Sequence, residues 1–295
     1  MNETNLLKKI RRIQYQTSRL ATDLLPGAYR SAFKGRGLEF DEVREYRVGD
    51  DVRSIDWNVT ARMNHPYVKS YCDEREITLT LIIDVSPSTC MGSGKALKNE
   101  VIVEIAAWLF FAAIKNGDKV AVVVFTDRVE KYFPPGKGTR HVLTIIRFLL
   151  AYEPIGKGTD IGKALEYFVR LKHRSGICFV LSDCIDKNFS KEAALAALRN
   201  DLVFLCFIDQ MELGSIGGAA LTFKDPETLQ VWDVDTSSKE WQETVKESTF
   251  NRLQALRKDL RKVGADFCPI TCSITLDKSY YVQLKRFFYL RHQRL

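Results

Sequence analysis

Five oxygen-bearing side chains stand in the sequence where a parallel sheet would bring them to one edge. They are Asp84, Ser86, Ser88, Thr159 and Asp183. Ligands of open α/β sheets collect at the carboxyl ends of the strands, where the strand order reverses. Two carboxylates and three hydroxyls are hard donors that suit Mg²⁺, with Mn²⁺ as an alternative. Five protein donors also leave a coordination position for water or for a carboxylate of another molecule.

The hydrophobic pattern predicts the elements that position these side chains. Beyond residue 76, continuous apolar runs typical of strands buried on both faces alternate with helical periodicity. Strands are predicted near 77–84, 119–126, 129–133, 176–182, 202–208 and 267–272, and helices near 95–115, 139–150, 160–171, 191–199, 239–263 and after 277. This order predicts an α/β fold with a doubly wound, mostly parallel sheet of the Rossmann type.

Two regions are predicted along the chain. Residues 1–75 form an N-terminal helix, at 5–25, and a small, largely β subdomain, whereas residues 76–295 form the α/β domain with a hairpin insertion near 213–235. In the subdomain, strands are predicted at 38–40, 45–48 and 67–71. Its tryptophan, Trp57, is predicted to be buried, with the neighbouring Asp56 paired to Arg53 or Arg62. The alternative is that Asp56 and Trp57 contact a partner.

Composition narrows the class of protein. The 295 residues are 45% hydrophobic and 27% charged, which suffices for a large core. The longest apolar stretch, 101–114, is interrupted by Glu104 and is shorter than the roughly 20 residues of a membrane span. The N-terminus lacks the pattern of a secretory signal, and an odd number of scattered cysteines suits a reducing compartment. We therefore expect a cytoplasmic protein without a membrane span.

The charge balance does not favour nucleic acid as a partner. The formal net charge is +7, but 44 basic residues are interleaved with 37 acidic ones. Such interleaving is typical of a solvated surface rather than of a basic stripe along a nucleic-acid backbone. No nucleic-acid binding is expected.

The order of the five donors resembles the metal-ion-dependent adhesion site of von Willebrand factor A domains. Asp84-x-Ser86-x-Ser88 follows the first buried strand, Thr159 lies in the stretch GTDIGKAL, and Asp183 follows a later strand. The resemblance implies a von Willebrand factor A-like fold in which the three hydroxyls ligate the ion. It also implies that the two carboxylates neutralise the ion and hold its waters, and that the threonine engages the metal conditionally.

Three upstream stretches are similar to the signature of bacterial DUF58 proteins. They are GRGLEF at 35–40, EYRVGDD at 45–51 and RSIDW at 53–57, and the similarity extends over about residues 30–210. The resemblance implies a MoxR-type AAA+ ATPase as a partner. Many relatives carry transmembrane helices near the N-terminus, and this sequence departs from them there.

Two functions remain open on these residues. The preferred one is a non-enzymatic binding module, in which the cation binds an exposed aspartate or glutamate of a partner protein; it needs no catalytic residue. The alternative is a Mg²⁺-dependent phosphoryl-transfer or hydrolytic enzyme that uses Asp84. A phosphatase with an aspartyl nucleophile needs a second carboxylate two residues later, where Ser86 stands, and a nearby general base.

Overall fold

The computed structural model describes residues 39–63, 65–72, 77–90, 97–171, 175–186, 188–215, 220–224, 231–272 and 279–293. The predicted helix at 5–25 lies outside this part of the chain. The chain divides into two compact units, with residues 33–77 in the smaller one and residues 78–295 in the larger one.

The smaller unit is built on an antiparallel strand pair. Strand β1 (Glu39–Glu45) pairs with β2 (Tyr67–Cys72), and helix α1 (Trp57–Met63) lies between them in sequence. The predicted strand at 45–48 is wrong, because β1 ends at Glu45 and a turn follows it. The carboxylate of Asp50 closes that turn by accepting hydrogen bonds from the Arg44 guanidinium at 2.7 and 2.8 Å. These bonds lower the pKa of Asp50 to about 2.

The prediction that Trp57 is buried is also wrong, since this residue is 68% exposed. It is the first residue of α1, a helix that buries none of its side chains. The helix begins where Asp56 Oδ1 accepts hydrogen bonds from the backbone N–H groups of Asn58 and Val59, at 3.0 and 3.3 Å. Such capping starts a helix without any requirement for core packing.

The larger unit contains a six-stranded sheet. Its strands are β3 (Thr78–Asp84), β4 (Lys119–Phe125), β5 (Val129–Gly136), β6 (Ile177–Ser182), β7 (Asp201–Asp209) and β10 (Asp266–Cys272). The spatial order is β10-β7-β6-β3-β4-β5, and only the edge strand β5 runs antiparallel to its neighbour. A separate hairpin consists of β8 (Ala220–Lys224) and β9 (Val231–Asp235). The predicted mixed α/β fold with a mostly parallel sheet is confirmed.

Helices cover both faces of this sheet. They are α2 (Lys98–Lys115), α3 (Gly138–Ala151), α4 (Ile161–Arg170), α5 (Ser190–Ala197), α6 (Lys239–Lys262) and α7 (Ser279–His292). On one face of β6, Phe179 packs edge-on against Phe288 of α7, with ring centroids 6.1 Å apart. On the other face, Cys178 and Val180 join a core with buried residues of α4, α5 and α6. In the described part of the chain, no helix is both long and apolar enough to span a membrane.

The connection order creates one reversal in the middle of the sheet. From β3 the chain continues to β4 and β5 on one side, and then crosses to β6 on the other side. The strand order therefore reverses between β3 and β6, which is where open α/β sheets bind ligands. Asp84 ends β3, and Asp183 directly follows β6.

Candidate functional site

The loop after β3 brings three of the predicted donors together. Asp84 Oδ1 accepts a hydrogen bond from the backbone N–H of Ser86 at 2.9 Å, and the hydroxyl oxygens of Ser86 and Ser88 lie 2.8 Å apart. Thr89 closes the turn by donating its hydroxyl proton to the Ser86 carbonyl at 2.8 Å. The Asp84 side chain is 1% exposed. One carboxylate and two hydroxyls therefore form a compact group at the carboxyl end of β3.

The end of β6 joins this group through Ser182. Its hydroxyl donates to Asp84 Oδ2 at 2.6 Å and also accepts the backbone N–H of Cys184 at 3.1 Å. Asp183, which lies between Ser182 and Cys184 in the sequence, is fully buried. Among the described non-glycine residues, only Cys184 has a positive φ, of 54°. Such a backbone conformation costs on the order of 1–3 kcal/mol, and strain of this kind clusters at functional sites.

The electrostatics of the site favour a cation. Burial, followed by the charge of Asp183, raises the pKa of Asp84 to about 7, even though hydrogen bonds from Ser182 and Ser86 act in the opposite direction. Asp183 Oδ2 is buried and accepts no hydrogen bond within the described residues. Two buried carboxylates on adjacent strands repel each other, and a divalent cation would remove that repulsion. The residues present therefore fit a divalent metal ion.

The donor chemistry points to a hard ion rather than to zinc. Across the described residues, no group of three or more His, Cys, Asp or Glu side chains is placed to hold a metal. A metal at this site would therefore need the serine hydroxyls as ligands beside the two carboxylates. Hydroxyl and carboxylate oxygens suit Mg²⁺ or Mn²⁺.

Thr159 lies in the loop before α4, at the same edge of the sheet. The next residue, Asp160, donates its backbone N–H to the carbonyl of Thr126 at 2.9 Å, just beyond the end of β4. The first residue of α4, Ile161, donates its backbone N–H to Asp186 Oδ2 at 3.0 Å, in the segment after β6. The loop that carries Thr159 is thus attached to the ends of both strands that flank β3.

A carboxylate that the sequence did not single out also fixes this loop. Glu130 Oε1 accepts hydrogen bonds from Thr126 Oγ1 at 2.7 Å and from the Gly156 backbone at 2.8 Å, and Oε2 accepts the Tyr152 hydroxyl at 2.8 Å. Burial raises the pKa of Glu130, but these hydrogen bonds outweigh that effect and lower the pKa. Glu130 lies on the edge strand β5, 29 positions before Thr159 in the sequence, so no local pattern links the two residues.

Replacing Gly156 with alanine is expected to displace the loop that carries Thr159. A Cβ atom at this position would lie 2.0 Å from Thr126 Oγ1 and 2.2 Å from Asp127 Oδ1, so either these side chains or the loop itself must shift. We expect a loss of about 1–3 kcal/mol in the free energy of unfolding, measured by urea denaturation. Gly162→Ala is the matched control, because its Cβ would meet no atom closer than 3.4 Å and alanine is the better helix former. Equal stabilities of the two variants would contradict this account of the loop.

Three further charged residues surround Asp183. Lys98 begins α2, Glu212 lies in the 3₁₀ turn Met211–Leu213 after β7, and Arg252 lies on α6. These residues are distant from one another along the chain, so no local sequence pattern predicts that they meet. The available signal was a lysine just ahead of the strongly apolar run 101–113. In the structure this lysine is only 4% exposed.

One protein family matches most of this chain. The family model described as "Protein of unknown function DUF58" matches residues 42–253, which is more than half of the chain. The uncharacterized protein Rv1480 of Mycobacterium tuberculosis (strain ATCC 25618 / H37Rv) is 24% identical over 292 residues, covering 97% of this chain and 90% of that protein.

Two solved structures are similar to this chain over about three quarters of its length. BatB from Bacteroides thetaiotaomicron has a TM-score of 0.46 and 13% identity, covering 74% of this chain and 100% of that chain. An aerotolerance-related membrane protein from Bacteroides fragilis NCTC 9343 has a TM-score of 0.46 and 15% identity, with the same coverage of 74% and 100%.

Proposed function

The chain belongs to the DUF58 family, and we propose that it is a non-enzymatic protein-binding module that presents a Mg²⁺-type cation to a carboxylate of a partner protein. The observation that carries this proposal is the pair of buried carboxylates, Asp84 and Asp183, at the reversal of strand order, with the hydroxyls of Ser86 and Ser88 beside them. We further propose that the larger unit is a von Willebrand factor A-like domain and that its site is a metal-ion-dependent adhesion site.

Each residue has a separate role in this proposal. The hydroxyls of Ser86, Ser88 and Thr159 ligate the ion, while Asp84 and Asp183 neutralise its charge and hold its waters. A bound Mg²⁺ or Mn²⁺ supplies an open coordination position for a carboxylate oxygen. The hydrogen bonds from Ser86 N–H and Ser182 Oγ hold the Asp84 carboxylate in one orientation, so the site requires little reorganisation when the ion binds.

The same contacts weigh against the alternative, an enzyme that uses Asp84 as a nucleophile in phosphoryl transfer. Both oxygens of Asp84 accept hydrogen bonds, and the side chain is 1% exposed. A nucleophile must be accessible to its substrate, whereas this carboxylate is buried and held in one orientation. This geometry supports an orienting and charge-balancing role for Asp84.

We propose a MoxR-type AAA+ ATPase as the partner, with a second protein that carries an exposed aspartate or glutamate as the target of assembly or remodelling. The ATPase rests on the family resemblance, and the acidic target rests on the open coordination position. The free thiols of the buried cysteines 178, 184, 206, 268 and 272 fit a reducing compartment, and we propose the cytoplasm.

Calorimetric titration of MgCl₂ and MnCl₂ tests the site directly. We expect the wild type to bind either ion and Asp84→Asn to lose this binding, because asparagine removes one of two negative charges from the site. Glu166→Gln is the matched control, since this carboxylate is exposed on α4 and pairs with Arg170. Absence of binding to wild type, or unchanged binding to Asp84→Asn, would overturn the metal site.

Capture on an immobilised MoxR-type ATPase then separates the two candidate functions. The binding module predicts capture of wild type with MgCl₂, and loss of capture with EDTA or in Asp84→Asn. The enzyme predicts instead that a generic phosphomonoester is hydrolysed with MgCl₂ and that Asp84→Asn abolishes hydrolysis. Hydrolysis without metal-dependent capture would replace our proposal with the alternative.

A further inference from the structure

A buried ammonium group lies against the proposed metal site. Lys98 Nζ is 3.6 Å from Asp183 Oδ2 and 2.6 Å from Glu212 Oε1, and the lysine side chain is 5% exposed. The ammonium group is thus paired with one carboxylate and lies beside a second one, so the protein itself supplies a positive charge next to the site.

The ammonium group is held more closely by Glu212 than by Asp183. Glu212 Oε1 also accepts the backbone N–H of Asp209 at 3.1 Å, and Glu212 Oε2 accepts Arg252 Nη2 at 2.6 Å. Arg252 Nη1 in turn donates to the carbonyl oxygen of Asp183 at 3.1 Å. Glu212 is thus anchored by β7 and α6, and it lies closer to the Lys98 ammonium than Asp183 does.

We propose that Lys98 is an internal counter-cation that competes with the divalent ion for Asp183, and that Glu212 limits this competition by retaining the ammonium group. This inference rests on the proposed metal-binding function. In the metal-free protein, Lys98 partly neutralises the buried Asp183, whose Oδ2 accepts no hydrogen bond within the described residues. When a cation binds, the ammonium group remains paired with Glu212, and the charge of Asp183 neutralises the metal ion.

The two partners should therefore have opposite effects on metal affinity. Lys98→Met keeps an unbranched side chain but removes the competing charge, so we expect Mg²⁺ and Mn²⁺ to bind on the order of tenfold more tightly. Glu212→Gln removes the anchor, so the ammonium charge acts on Asp183 alone and affinity should fall by a similar factor. A merely structural role for the pair would weaken binding in both variants.

Titration of MgCl₂ and MnCl₂ into wild type, Lys98→Met, Lys98→Arg and Glu212→Gln at pH 8 tests the inference. Lys98→Arg keeps the charge and should stay close to wild type. If Lys98→Met does not fold, tighter binding to Glu212→Gln than to wild type would by itself overturn the inference.

The outcomes separate this inference from the proposed function. Tighter binding to Lys98→Met together with weaker binding to Glu212→Gln supports it. Binding to Lys98→Met that equals or falls below that of wild type overturns the competition, while the metal site stands. Absence of binding to all four proteins overturns both the inference and the metal site.

Discussion

Asp84→Asn should be more stable than wild type at pH 8 without divalent cations, by about 2–4 kcal/mol. Burial and the charge of Asp183 raise the pKa of Asp84 to about 7, from an ordinary value of 3.8. At pH 8 the wild-type protein therefore holds the Asp84 carboxylate in the ionised form that burial disfavours. Asparagine keeps the shape of the side chain and an acceptor for the Ser86 N–H, but it carries no charge.

The direction of the pH dependence follows from the raised pKa. The folded protein binds the proton of Asp84 more tightly than the unfolded chain does. Asp84 therefore contributes stability that is complete below about pH 4 and is lost as the pH rises through about 7. In Asp84→Asn this loss disappears, so the difference in stability between the two proteins should grow between pH 5 and pH 8.

Urea denaturation in EDTA at pH 5 and pH 8 measures this difference. Glu166→Gln serves as the control, because an exposed ion pair contributes at most about 1 kcal/mol. Added MgCl₂ should stabilise the wild type at pH 8 and leave Asp84→Asn unchanged, since ligand binding to the folded state stabilises it. A variant that is less stable than wild type at pH 8 in EDTA would contradict the buried-charge account of the site.

A second large effect on stability is expected from replacing Trp108, in the core between α2 and α7. Trp108 of α2 is fully buried, and its ring lies 5.6 Å from Tyr281 and 6.3 Å from Phe288, both on α7. Trp108→Ala should lower the free energy of unfolding by about 3–5 kcal/mol, because it leaves a large cavity between the two helices. Helices α2 and α7 would then lose the aromatic contacts that Trp108 makes with Tyr281 and Phe288.

Trp108→Phe is the matched variant for this prediction. It keeps an aromatic ring, and the indole N–H that it removes has no hydrogen-bond partner within the described residues. We expect a cost of about 1–2 kcal/mol, clearly smaller than that of alanine. A loss below 1 kcal/mol for Trp108→Ala in urea denaturation would show that α7 does not depend on this packing.

The sequence predicted the larger unit well because its signals are local. Continuous apolar runs such as that of β3 indicate strands buried on both faces, and hydroxyl and acidic residues directly after them mark the carboxyl edge. Asp84, Ser86 and Ser88 are close in sequence, so a single turn suffices to group them. The smaller unit was predicted less well. Helix α1 buries no side chain, so it has no hydrophobic periodicity, and its start depends on capping by Asp56.

The strands, their alternation with helices and the donors that follow β3 and β6 could all be predicted from the sequence, because hydrophobic burial and turn chemistry depend on neighbouring residues. The surroundings of those donors depend on how distant elements pack. The charged network beside Asp183 comes from three separate elements, which contribute Lys98, Glu212 and Arg252. The packing of α2 and α6 brings these residues together. A buried charge is stable only when it is paired, and its partner can come from any part of the chain. The spacing of residues along the sequence therefore does not predict which partner it contacts.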